Sequence, residues 1–107
     1  MLKPLATALL ASALLLGFGG AAFAGWAKDH PRRAEVNHRL DNQNRRIRHE
    51  VRDGQISRAQ GRALHHEDHQ IRNEERAMAS QDGGHITRGE QAVLNQQENG
   101  VSRQIGR

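Results

Sequence analysis

The 107-residue chain has no cysteine and no tyrosine, and its aromatic residues are limited to Phe18, Phe23 and Trp26. Without cysteine there is no disulfide, no thiolate metal site and no cysteine to lipidate. Period-two alternation of apolar and polar residues is missing too, so no segment reads as a strand. A glycine-rich phosphate loop is absent, and Ser57, Ser80 and Ser102 have no histidine–acid pair near them in sequence. The chain therefore reads as a non-enzyme.

What is present begins with a leader. Met1-Leu2-Lys3-Pro4 supplies a basic start, the stretch from Leu5 to Phe18 is uncharged and apolar, and Ala22-Phe23-Ala24 forms an A-x-A site. These are the three parts of a secretory signal peptide, with cleavage expected after Ala24. The rival reading, a retained membrane anchor, is weakened because the run falls short of the ~20 residues a span needs and no basic stop-transfer cluster follows it. The expected organisation is a signal peptide over 1–24, a flexible segment over 25–31 and a helical domain over 32–107, periplasmic or secreted, with no stable membrane span after cleavage. Losing Lys3 takes the formal charge from +4 to about +3, which selects no partner by itself. Nucleic acid is disfavoured as a ligand. The arginines of "HPRR" and "NRRIR" are there, but no Tyr or Phe remains to stack bases, and export removes the chain from the genome.

Large apolar residues are scarce enough beyond the leader to approach the composition of disordered chains, so marginal stability, or stability borrowed from a partner, is expected. Their spacing nevertheless argues for order. Val36, Leu40, Ile47 and Val51 step by 4, 7 and 4; Leu64, Ile71 and Met78 by 7 and 7; Leu94, Val101 and Ile105 by 7 and 4. Such steps return to one helix face. They predict an all-α fold of three amphipathic helices, at about 32–52, 57–80 and 87–104, in an up-down-up bundle or an extended helical hairpin. The apolar stripe is Leu40, Ile47, Leu64, Ile71, Leu94 and Val101. A seam this narrow can close within one chain or across two, so a homodimer is also an expectation. Acid-before-base pairs at i,i+4, namely Glu35–Arg39, Asp41–Arg45 and Asp68–Arg72, are expected to decorate the polar faces.

The junctions carry the most specific pattern. "RDGQISRAQ" (52–60) and "QDGGHITRGE" (81–90) share Asp-Gly, an isoleucine, a hydroxyl residue, and Gln or Glu three places later. Ser57-x-x-Gln60 and Thr87-x-x-Glu90 read as capping boxes. The turn residues Asp53-Gly54 and Asp82-Gly83-Gly84 let the preceding helices end in a left-handed turn. The repeated Leu40-x6-Ile47, Leu64-x6-Ile71 and Leu94-x6-Val101 units suggest a duplicated helix-turn-helix element whose spacings are not strict.

Asp53-Gly54-x-Ile56-Ser57-x-x-Gln60 resembles the second half of an EF-hand calcium loop. The earlier ligand positions hold His49 and Val51, and in the second copy Ala79, Gln81 and Gly83, from which no oxygen cage can be built. "ISRAQ" (56–60) and "ITRGE" (86–90) resemble the LTxxQ motif that small periplasmic stress proteins of the Spy/CpxP-like kind carry twice, here with Ile for Leu and with Glu for the second Gln. That resemblance implies an all-helical chain, often a thin curved dimer, that holds unfolding client proteins without ATP.

"LHHEDHQIR" (64–72) offers a different chemistry. His65 and His69, four apart, share a helix face at the spacing by which two imidazoles chelate Zn²⁺ or Cu²⁺, with His66 beside them. A zinc-protease box would need Glu at 66, which is His66, so the catalytic version is excluded. A third ligand would have to come from another helix, where His38 and His49 are eleven apart. The sequence thus points first to an exported client-holding protein, second to a periplasmic divalent-metal binder using Zn or Cu, and third to EF-hand-like calcium binding.

Overall fold

The computed structural model describes residues 24–106, and the expected leader over 1–24 lies outside them except for Ala24. Residues 24–29 are helical (α1), followed by α2 (Pro31–Arg52), α3 (Arg58–Gln81) and α4 (Arg88–Ile105). The fold is all-α, with no strand among the described residues. Each of the three long helices packs against the other two. Short junctions make successive helices antiparallel, so the C-terminal ends of α2 and α4 meet the start of α3. Arg46 of α2 donates to Ser102 Oγ of α4 at 2.8 Å, near that end.

Local chemistry sets the helix boundaries. Pro31 opens α2, where its missing amide is no loss. Gly54 at φ 76° and Gly84 at φ 93° take the left-handed conformation that turns the chain after α2 and α3. Ser57 Oγ accepts the Gln60 amide at 3.0 Å, with no return bond from the Gln60 side chain. Thr87 makes the full box: its Oγ1 accepts the Glu90 amide at 3.1 Å while its own amide donates to Glu90 Oε1 at 2.9 Å. Only the second junction is capped reciprocally.

The segment 25–31, read as flexible, is helical to residue 29 and carries a ring stack. Trp26 stacks on His30 at 5.0 Å, His30 stacks on His85 at 4.5 Å, and the Arg33 guanidinium lies 5.2 Å from the Trp26 ring centroid. Two expectations are corrected. The i,i+4 ion pairs are replaced by contacts between helices: Arg39 turns to Glu98 at 3.6 Å, and Asp41 takes Arg72 at 2.7 Å. For Arg39 the buried Glu98 carboxyl, in a drier setting, outcompetes a partner along its own exposed face, while the Asp41–Arg72 pair stays at the surface. Met78 is only half-buried and Ala79 takes its place in the core. A strict seven-residue step drifts around a helix of 3.6 residues per turn, and the step from Glu75 to Ala79 follows the true period.

The core consists of Val36, Leu40 and Ile47 from α2, Leu64, Ile71 and Ala79 from α3, Leu94, Val101 and Ile105 from α4, and Ile86 from the junction before α4. All six stripe residues, Leu40, Ile47, Leu64, Ile71, Leu94 and Val101, are buried against one another within this chain. At about 25 cal/mol per Å² of apolar surface removed from water, this shared seam is the main force holding the helices together.

Candidate functional site

The seam is not apolar throughout. Gln43, Asp68, Glu75 and Glu98 are at most 3% exposed and sit among the core residues. Gln43 lies between Leu40 and Ile47, Asp68 between Leu64 and Ile71, and Glu98 between Leu94 and Val101. Each long helix thus brings one polar side chain to the middle of the bundle. Gln43 Nε2 donates to the Glu98 carbonyl at 2.5 Å, and the Asp68 charge acts on the Glu98 carboxyl.

This layer is poorly satisfied. Gln43 Oε1, both Asp68 oxygens and both Glu98 oxygens have no hydrogen-bond partner within the protein. Buried oxygens without partners are costly, and an ionised carboxylate most of all. Burial accordingly pushes Asp68 up to about 7, with Arg72 opposing and Glu67 adding to the rise. Burial also pushes Glu98 up to about 8; Arg39 and Arg72 oppose the rise, while Asp68 and Glu35 add to it. Both groups therefore hold protons near neutrality, and the layer changes charge between about pH 7 and 8. Glu75 differs from them. Arg33 reaches it with its guanidinium and also donates to the Gly84 carbonyl at 3.1 Å, tying α2 to the end of α3.

The residues singled out from sequence are distributed differently. His65 is half-buried, and its Nδ1 donates to Asn44 Oδ1 of α2 at 2.7 Å. Burial, and then the Arg48 charge, lower its pKa from 6.5. His66 and His69 are exposed, as are His38 and His49. Among the described residues no three His, Asp or Glu side chains come together as metal ligands. The junction acids are engaged locally: Asp53 pairs with His49 at 3.0 Å, while Asp82 hydrogen-bonds Glu90 and has its pKa raised by that bond first. Glu90 is lowered, chiefly by the Thr87 amide. Ser57, Gln60, Thr87 and Glu90 mark helix starts, and Asp53, Gly54, Asp82, Gly83 and Gly84 form the turns.

Sequence reasoning missed the polar layer. The signal was available in the alternation of three- and four-residue steps, Leu40–Gln43–Ile47, Leu64–Asp68–Ile71 and Leu94–Glu98–Val101, which places a polar residue on the stripe of every helix. Counting only apolar residues leaves that gap at seven and hides what fills it.

No family model matches the chain, and no curated protein and no solved structure matches it. The chain's own geometry defines its class: an all-α bundle with a titratable polar layer in its seam. No helix among the described residues is long and apolar enough to cross a membrane.

Proposed function

We propose that the chain is an exported, non-enzymatic binding protein of the envelope-stress kind, which holds unfolding client proteins without ATP on the apolar seam of its own bundle. The buried Gln43–Asp68–Glu98 layer is the observation that supports this reading. In the closed bundle Val93 is the only large hydrophobic side chain exposed among the described residues, so the closed form offers a client little apolar surface. A client can reach Leu40, Ile47, Leu64, Ile71, Leu94 and Val101 only when the helices part. The layer lowers the free energy of parting, because two carboxyls that lose their protons inside the core regain hydration when it opens. The LTxxQ-like "ISRAQ" and "ITRGE" segments at the junctions point to the same class.

The test is suppression of aggregation of a chemically denatured protein, followed by light scattering at pH 6 and pH 8.5. The exported chain is compared with an Asp68→Leu/Glu98→Leu variant, whose apolar layer keeps the bundle shut. The native chain should suppress scattering more at pH 8.5 than at pH 6, and the closed variant should fail at both while keeping its helix content. Equal suppression by the two chains would remove the seam as the holding surface. No suppression by either would remove the holding class.

A divalent-metal role is the second reading, and His65 favours it. With Nδ1–H donated to Asn44, its Nε2 lone pair is free and the ring is fixed in orientation, the arrangement that suits a ligand imidazole for Zn or Cu.

A further inference from the structure

Where α2 ends and α3 begins, Arg48, Arg52, Arg58 and Arg62 surround a groove of about 330 Å³ floored by Val51 and Gly61, with His65 on its wall. All four arginines are exposed, and no carboxylate lines the groove. Several arginines elsewhere in the bundle find partners: Arg33 has Glu75, Arg39 has Glu98, Arg46 has Ser102 and Arg72 has Asp41. The four at the groove have neither an ion pair nor a hydrogen bond among the described residues.

Arg52, in the last turn of α2, suits the helix dipole, but pairing within the helices does not favour the arrangement. Arg48–Arg52 and Arg58–Arg62 are like-charged pairs at i,i+4, which weaken a helix, and the junction sets the two pairs side by side. Gly61, inside α3, is weaker for a helix than alanine, yet a Cβ there would come within 2.5 Å of Val51 Cγ2. The glycine allows α2 and α3 to approach closely and brings the four guanidinium groups round one apolar floor. The positive field already acts on His65, whose pKa Arg48 helps to lower.

An apolar floor with a guanidinium rim complements a compact anionic head carried on an apolar body. Guanidinium groups bind phosphate through paired, charge-assisted hydrogen bonds. The groove is confined to about two helical turns, roughly 10 Å along the axis. An extended acidic peptide would cross that length in about three residues and leave most of its charges beyond reach. We propose that this groove docks the phosphate headgroup of an anionic lipid at a membrane surface, with the four arginines on the phosphate and Val51 against the first carbons of the lipid.

The experiment is co-sedimentation of the exported chain with phosphatidylglycerol–phosphatidylcholine vesicles and with pure phosphatidylcholine vesicles, at low and high salt. Arg52→Gln/Arg58→Gln is compared with Arg76→Gln/Arg88→Gln, which removes the same charge from exposed positions outside the groove. The native chain should sediment with the anionic vesicles at low salt. The groove variant should bind roughly thirtyfold more weakly, the expectation for two arginines at a lipid surface, and the control variant should bind nearly as the native chain. Circular dichroism of both variants checks that the bundle is intact. Equal loss in both variants, equal binding to pure phosphatidylcholine, or no binding to anionic vesicles overturns the proposal. So does capture of a labelled acidic peptide without vesicle binding, which would assign the groove to a protein partner.

Discussion

If the Gln43–Asp68–Glu98 layer controls opening, the bundle should be most stable in acid and lose stability as pH rises. The direction follows from proton affinity. Asp68 is raised from 3.8 to about 7 and Glu98 from 4.5 to about 8, so the folded chain holds protons that the unfolded chain releases. That stabilisation is complete below about pH 4 and is lost as pH climbs through the two folded values. Each tenfold change in proton affinity is worth about 1.4 kcal/mol, so each carboxyl contributes on the order of 4 kcal/mol. The contributions overlap, because part of the rise at Glu98 comes from the Asp68 charge. A total loss on the order of 5 kcal/mol between pH 4 and pH 9 is comparable with the whole stability of a small domain, ~5–15 kcal/mol. Urea unfolding followed by circular dichroism at several pH values measures it. With a slope of about 2 kcal/mol per molar, the midpoint should fall by more than about 2 M over that range. Asp68→Asn/Glu98→Gln, which cannot ionise there, should flatten the profile. His65 pulls the other way below 6.5, because its folded pKa is lowered, but it is common to both chains and drops out of the comparison. A native midpoint that stays level or rises towards pH 9, or the same slope in the double variant, would refute the reasoning.

Other outcomes are equally definite. Thr87→Ala and Ser57→Ala should each cost about 1 kcal/mol in thermal melts, because each removes one hydroxyl that accepts a helix-start amide, while the bond from the Thr87 backbone amide to Glu90 survives its substitution. Gly61→Ala, favourable by helix propensity alone, should instead destabilise by about 1–3 kcal/mol through its clash with Val51, and adding Val51→Ala should restore most of the loss in urea titrations. If His65 and His69 hold Zn²⁺, calorimetric affinity should fall between pH 7.5 and 5.5, and His69→Ala should abolish most of it; equal weak uptake by both chains would leave the pair as a polar surface. N-terminal sequencing of exported protein should read Gly25-Trp26, and an intact leader would reject release into the periplasm.

The sequence discloses what depends on local chemistry. Pro31, Gly54, Ser57, Gly84 and Thr87 act on their own backbone or a near neighbour's, so the helix limits can be placed within a residue or two. Leu40, Ile47, Leu64, Ile71, Leu94 and Val101 share faces because one helix imposes one period. What stays hidden depends on which helix lies opposite. Arg39 could pair with Glu35 on its own helix or with Glu98 on another, and only the assembled bundle decides. Asp68 looks like half of a surface ion pair with Arg72 until α2 and α4 close over it. The groove is hidden in the same way, because Arg48 and Arg52 lie on one helix and Arg58 and Arg62 on the next. A charge total spread over the chain conceals their convergence.

The stack of Trp26, His30 and His85 has an optical consequence. The chain has one tryptophan and no tyrosine, so its near-ultraviolet emission arises almost entirely from a ring held against an imidazole. Emission should therefore follow the release of α1 from the junction before α4, because parting the stack moves the indole into water. One native fluorophore, without a label, lets the loosening of this end of the bundle be timed against the carboxyl titration at its centre.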